Sequence, residues 1–180
     1  VRHIRAAIAE QQTFAGRSDF RQEVDMSALL DEVLRLNEEP LRAAEVQVAI
    51  EMPPLPELQL NKSKMSQVLV NLVRNAVQSM QGQSSDARRL TIAVRAVEDG
   101  GVEIEVRDTG VGFDDDVRSK LFTHGFTTKP EGNGFGLHYC ANAVREAGGY
   151  ITAQSPGPGQ GATFRIGLPH VIPAPLATSS

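Results

Sequence analysis

The stretch from Leu90 to Asp108 constrains the fold more than any other. Leu90, Ile92 and Val94 alternate with more polar neighbours, Asp99-Gly100-Gly101 turns the chain, and Val102, Ile104 and Val106 alternate again. A two-residue period on both sides of a turn predicts paired antiparallel strands with one apolar face, and the second strand delivers Asp108 to its end. Upstream, from about Lys62 to Met80, Met65, Val68, Leu69, Leu72, Val73, Ala76, Val77 and Met80 fall at three- and four-residue intervals. That spacing predicts a long amphipathic helix, with Asn61 as its cap.

The remaining segments fall into the same two layers. Val1, Ile4, Ala7 and Ile8 have helical spacing and end at a break around Gly16 to Asp19. A second helix starts near Asp25 or Ser27, buries Met26, Leu29, Leu30, Val33 and Leu34, and ends before or near Pro40. Val46, Val48 and Ile50 read as a half-buried strand, Met52 to Pro56 as a connection, and Leu58 to Leu60 as extended chain. Asp114-Asp115-Asp116 suits the positive end of a short helix reaching Leu121. A helix carrying Leu137, Cys140, Ala141 and Val144 stops at Gly148-Gly149, and strands follow near 150–154 and 162–168. Beyond Pro169 the Pro-, Ala- and Ser-rich tail, 170–180, reads as disordered. The fold expected is α+β: a two-layer sandwich with a mixed, mostly antiparallel sheet and helices on one face. With 180 residues, 41% hydrophobic, the chain has material for one main core.

Two glycine-rich runs follow the acidic strand end: Asp108-Thr109-Gly110-Val111-Gly112, then Gly132-Asn133-Gly134-Phe135-Gly136-Leu137 opening a helix. Such a run either brings backbone N–H groups onto a phosphate or forms a mobile loop without a ligand. Asn71 and Asn75, one turn apart on the long helix, project from one side. Asparagine is a poor helix former, so these amides are either solvated or serve as neutral oxygen ligands of the kind Mg2+ accepts. A formal net charge of −4 gives no global basic field, which speaks against nucleic acid or an anionic membrane as partner. One cysteine, Cys140, allows no internal disulfide. No run has membrane-spanning length, no signal peptide opens the chain, and the four histidines are not grouped as zinc ligands.

Taken in order, Asn71 to Ala76, Asp108 to Gly112, Phe122 to Phe126, Gly132 to Leu137 and Gly159-Gln160-Gly161-Ala162-Thr163-Phe164 resemble the N, G1, F, G2 and G3 boxes of sensor histidine kinase ATP-binding domains. The resemblance covers about residues 25–169. It implies the Bergerat fold of the GHKL superfamily, holding ATP and Mg2+ between a helical layer and a lid, within a catalytic domain of 17–169. Residues 1–16 would then end a dimerisation helix. By the same resemblance Asn75 is the magnesium ligand, Asn71 lies near the phosphates, and Asp108 accepts a hydrogen bond from the adenine amino group. Gly110 and Gly112 form the first lid hinge, Gly132, Gly134 and Gly136 face the phosphates with Leu137 behind them, and Thr163 lies beside Asp108. Phe122 and Phe126 close a lid running from Phe113 to Glu131, while Lys129 either neutralises polyphosphate or is a solvated lysine. His124 and His138 either approach phosphates or act as surface or capping residues.

The chain departs from the pattern at Gln78, where many members carry a cation, and it lacks a phosphoacceptor: His3 precedes Ile4 and Arg5 rather than an acidic residue. The histidine that receives the phosphoryl group is therefore expected upstream, on a dimerisation domain of a homodimeric, cytoplasmic or membrane-anchored parent that passes it to a response regulator. Hydrolytic relatives of the gyrase, chaperone and mismatch-repair type carry a glutamate base where Asn71 stands, and an amide is no general base. A protein-serine kinase using the same ATP site is the other alternative.

Overall fold

The computed structural model describes residues 20–128, 132 and 134–169. The segment 1–16, Lys129 and the tail 170–180 lie outside the described residues. In chain order the elements are β1 (Gln22–Val24), α1 (Met26–Leu36), α2 (Glu38–Ala43), β2 (Gln47–Glu51), β3 (Leu58–Leu60), α3 (Lys62–Ser79), β4 (Arg89–Ala96), β5 (Val102–Asp108), α4 (Asp115–Arg118), α5 (Gly136–Glu146), β6 (Tyr150–Gln154) and β7 (Ala162–Leu168).

The alternation that predicts a hairpin builds one. β4 and β5 pair antiparallel with Ile92 opposite Val106 and Val94 opposite Ile104, and β7 joins β5 with Phe164 opposite Val106 and Ile166 opposite Ile104. The main sheet has the order β2-β4-β5-β7-β6, with β2 parallel to β4 and every other pair antiparallel. Against its apolar face lies α3, between α1 and α5. Val68, Leu69, Leu72, Val73 and Ala76 meet Leu90, Ile92, Ile104 and Ile166, all of them buried. Each Val, Leu and Ile among them contributes about 1.5–3 kcal/mol on burial, so this seam is the main reason the layers adhere. The expected α+β sandwich, with its mostly antiparallel sheet, is the fold found.

α1 ends before Pro40 as the sequence predicts, while the short α2 after it and three other details differ from the sequence expectations. α1 stops at Leu36, because Asn37 turns its amide back to donate to Val33 O at 2.8 Å and its own N–H to Leu34 O. Pro40 then falls in the first turn of α2, where a missing N–H costs nothing. Val48 and Ile50 are 39% and 42% exposed rather than half-buried, since β2 is an edge strand and α3 covers β4 and β5. β1, only three residues long, pairs with β3 in a separate two-stranded sheet. Asp114 caps α4 as the acidic run predicts, but the helix ends at Arg118.

The opposite face of the main sheet is polar. Arg95 pairs with Glu103, Arg165 Nε donates to Glu105 Oε2 at 2.8 Å, Arg107 also bonds Glu105, and Tyr150 Oη donates to Glu103 Oε2 at 3.2 Å. The side chains of Glu103 and Glu105 are only 11% and 12% exposed, so the arginines cover carboxylates that would otherwise lie open.

Candidate nucleotide site

α3 carries a polar stripe, Gln67, Asn71, Asn75 and Ser79, repeating every four residues along one side. Gln67 Nε2 donates to Asn71 Oδ1 at 3.3 Å, which turns the oxygen of that amide along the helix. At the far end of the stripe Ser79 Oγ lies 2.8 Å from both Asp108 Oδ1 and Ala76 O. A hydroxyl has one hydrogen, and the carboxylate is the stronger acceptor. The Gly110 N–H donates to the same Oδ1 at 2.8 Å. Asp108, 5% exposed at the end of β5, therefore has its carboxylate plane fixed by two donors.

Glycine at 110 is required by this arrangement. A Cβ there would lie 2.0 Å from Ser79 Oγ and 2.7 Å from Asp108 Oδ1, so any larger residue breaks the contact that orients the carboxylate. The Gly161 N–H donates to Gly110 O at 2.9 Å and the Val111 N–H to Ser79 O at 3.0 Å, tying α3, the first glycine run and the start of β7 together. Gly112 lies against the carbonyls of Gly157 and Gly161.

Thr163 is not where the sequence reading puts it. Across β5 and β7 Asp108 faces Ala162, while Thr163 faces Arg107 and, on its other side, Gln154. Side chains alternate along a strand, so Thr163 projects from the polar outer face and Ala162, 7% exposed, is the neighbour of Asp108. A one-residue error in register reverses the face.

The other end of the stripe meets the start of α5. A Cβ on Gly136 would come within 4.0 Å of Asn71 Cγ, and Asn75 stands one turn further along α3, half-buried. α1, α3 and α4 open with Asp25, Asn61 and Asp114, whose side chains accept from Ser27 N, Lys64 N and Val117 N. α5 opens instead with Phe135, which has no acceptor. The positive end of the α5 dipole thus lies beside Asn71, the electrostatics that suit an anion. Leu137, packed on the core, anchors that turn. Gly134, at φ +71°, approaches Gly125 and accepts from its N–H at 3.2 Å; Gly132 is exposed.

Of the two aromatics expected to close a lid, Phe122 packs edge-on against Phe164 with ring centroids 6.5 Å apart and joins the core, whereas Phe126 is half-buried outside it. Cys140, fully buried in α5, has its thiol pushed up to about 12 by burial, against the opposing pull of a hydrogen bond from Asn71. An acceptor-only carboxylate at one end and the positive end of a helix at the other fit a ligand with an amine at one end and an anion at the other. Adenine with its triphosphate is such a ligand.

Known proteins share this organisation. The family profile described as histidine kinase-, DNA gyrase B-, and HSP90-like ATPase matches residues 61–172. Sensor protein FixL of Bradyrhizobium diazoefficiens is 37% identical over 164 residues, which is 90% of this chain and 32% of that protein. Sensor histidine kinase ZraS of Escherichia coli is 39% identical over 150 residues, 82% of this chain and 31% of that one. The chain thus spans about a third of the length of these relatives. Among solved structures, full-length ShkA in complex with AMPPNP superposes with a TM-score of 0.77 at 26% identity, over 88% of this chain and 33% of that one.

Proposed function

The chain belongs to the histidine kinase-, DNA gyrase B- and HSP90-like ATPases, and from that premise we propose that it is the catalytic part of a sensor histidine kinase. It takes the γ-phosphoryl group of ATP to a histidine on a dimerisation domain outside these residues. Asp108, oriented by Ser79 and Gly110, reads the adenine amine, while the start of α5 and Asn71 receive the phosphates. Asn75 is the magnesium ligand, and a bound Mg2+ would supply neutralisation of the polyphosphate charge. The protein's own contribution is positioning and preorganised N–H donors.

The observation that carries transfer over hydrolysis is Asn71. Its amide oxygen accepts from Gln67, its side chain lies beside Gly136 at the start of α5, and it stands where the hydrolytic relatives carry a glutamate base, a role an amide, which takes no proton, cannot fill. The kinship with FixL and ZraS, both sensor proteins by name, supports the same reading. The reading we propose includes a homodimeric, cytoplasmic kinase part and a response regulator as the onward acceptor. Among the described residues no helix is long and apolar enough to cross a membrane.

The test is to mix this chain with Mg-ATP and the upstream helical domain of its parent. Acid-labile phosphohistidine with little free phosphate is expected. Steady phosphate release without labelled histidine would instead establish the ATPase alternative.

A further inference from the structure

On one side of α5 a chain of hydrogen bonds has a forced direction. Arg145 Nη1 donates to Asn142 Oδ1 at 3.3 Å, Asn142 Nδ2 lies 3.1 Å from His138 Nε2, and His138 Nδ1 lies 3.1 Å from Phe122 O. A guanidinium can only donate and a peptide carbonyl can only accept. Asn142 must therefore turn its oxygen to Arg145 and its NH2 to His138, whose Nε2 accepts and whose Nδ1–H is left to donate to Phe122 O. The three side chains stand at i, i+4 and i+7, one face of the helix.

The carbonyl at the end of this chain belongs to the base of the lid. The ring of Phe122 is held edge-on by Phe164 of β7, and its carbonyl by His138 of α5. Two residues on, the ring of His124 lies 4.9 Å from that of Phe135 and 5.2 Å from that of His138, and the Gly125 N–H donates to Gly134 O. Residues 119–128 are thus joined to the start of α5 beside Asn71.

We propose that His138 is a positioning residue that fastens the lid base to α5, with Asn142 and Arg145 holding the imidazole in its donating tautomer. The proposal rests on the nucleotide reading of the site for its effect on ATP, though the fastening itself does not. Phe122 O is given a donor by one ring nitrogen, so the conservative replacement can be specified. The amide nitrogen of asparagine occupies the position of Nδ1, that of glutamine the position of Nε2.

Hydrogen exchange is read over 119–128 in the nucleotide-free chain, referenced to β4 and β5 so that global loosening is subtracted, and affinity is read with a fluorescent ATP analogue. His138→Phe and His138→Gln are expected to raise exchange in that segment about fivefold and weaken the analogue by a similar factor, while His138→Asn stays near wild type. Unchanged exchange in His138→Phe, or His138→Asn as fast as His138→Phe, would overturn the fastening. A wild-type chain that takes up no nucleotide would overturn the site reading instead, and the exchange measurement would still decide the fastening.

Discussion

Ser79 Oγ and Asp108 Oδ1 meet at 2.8 Å across 29 residues of sequence, so the last turn of α3 fixes the carboxylate at the end of β5. If that carboxylate reads adenine, both partners matter unequally. Asp108→Asn replaces half of the acceptor by a donor, and nucleotide affinity is expected to fall at least about a hundredfold. Ser79→Ala removes one of two orienting donors and is expected to cost about tenfold. Calorimetric titration with Mg-ATP decides both, and equal affinities across the three chains would remove adenine reading from this end.

Asn75 stands one turn from Asn71, half-buried on the polar stripe. Asn75→Ala is expected to abolish the magnesium dependence of nucleotide binding while leaving the circular dichroism and melting of the domain near wild type, since alanine is the better helix former. Titrations with and without Mg2+ supply the comparison.

The register of β5 and β7 makes a paired prediction. Thr163→Val, on the outer face, is expected to change nucleotide affinity less than twofold, whereas Ala162→Leu places about three extra carbons beside Asp108 and is expected to cost about 1–3 kcal/mol in stability and to suppress binding. The opposite ranking would restore Thr163 to the adenine side.

Burial makes Cys140 inert. With its thiol pushed up to about 12, it is neutral at any physiological pH and out of reach of solvent. Ellman's reagent at pH 8 is expected to leave the native chain unmodified and to react once denaturant opens α5. The folded value lies above the ordinary thiol value, so this contribution to stability is intact below about pH 9 and is lost as pH climbs towards 12.

Glu105 gives a dependence at the acid end. Burial works to raise its carboxyl, but hydrogen bonds and charge from Arg165 and Arg107 outweigh it and hold the group below the ordinary value of 4.5. Its stabilisation is therefore full above that value and disappears as pH falls through the lowered one. Melting curves of wild type and Glu105→Gln are expected to differ at pH 7 and to converge as the solution is acidified through the lowered value.

What the sequence showed in advance depends on period and length. α3 has a long apolar repeat, and the β4 and β5 segments alternate on either side of a turn, so both were legible. β1 is three residues long, too short to display any period, and the break at Asn37 depends on a buried amide that no pattern announces. The alternation of Ala162, Phe164, Ile166 and Leu168 already sets Thr163 on the outer face, and only the box resemblance puts it beside Asp108. The signal for Ser79 is present in the sequence, where Gln67, Asn71, Asn75 and Ser79 recur every four residues along one helix face. The fastening of Phe122 by His138 involves a backbone carbonyl, and side-chain patterns carry no information about that.

The polar outer face of the sheet also bears on the pocket behind it. β4 and β5 are joined by a short turn that sets their alignment, but β5 and β7 are distant in sequence and have no such guide. Apolar alternation repeats every two residues, so it cannot distinguish the native alignment from one slipped by two. Charge can. Arg165 lies opposite Glu105 in the native pairing, and a two-residue slide in one direction would set it opposite Arg107. The same slide would carry Ala162 away from Asp108 and Gly161 away from Gly110. The ion pairs thus act as a one-way stop on strand alignment, and what they oppose is an error that would dismantle the base end of the site from the far side of the sheet.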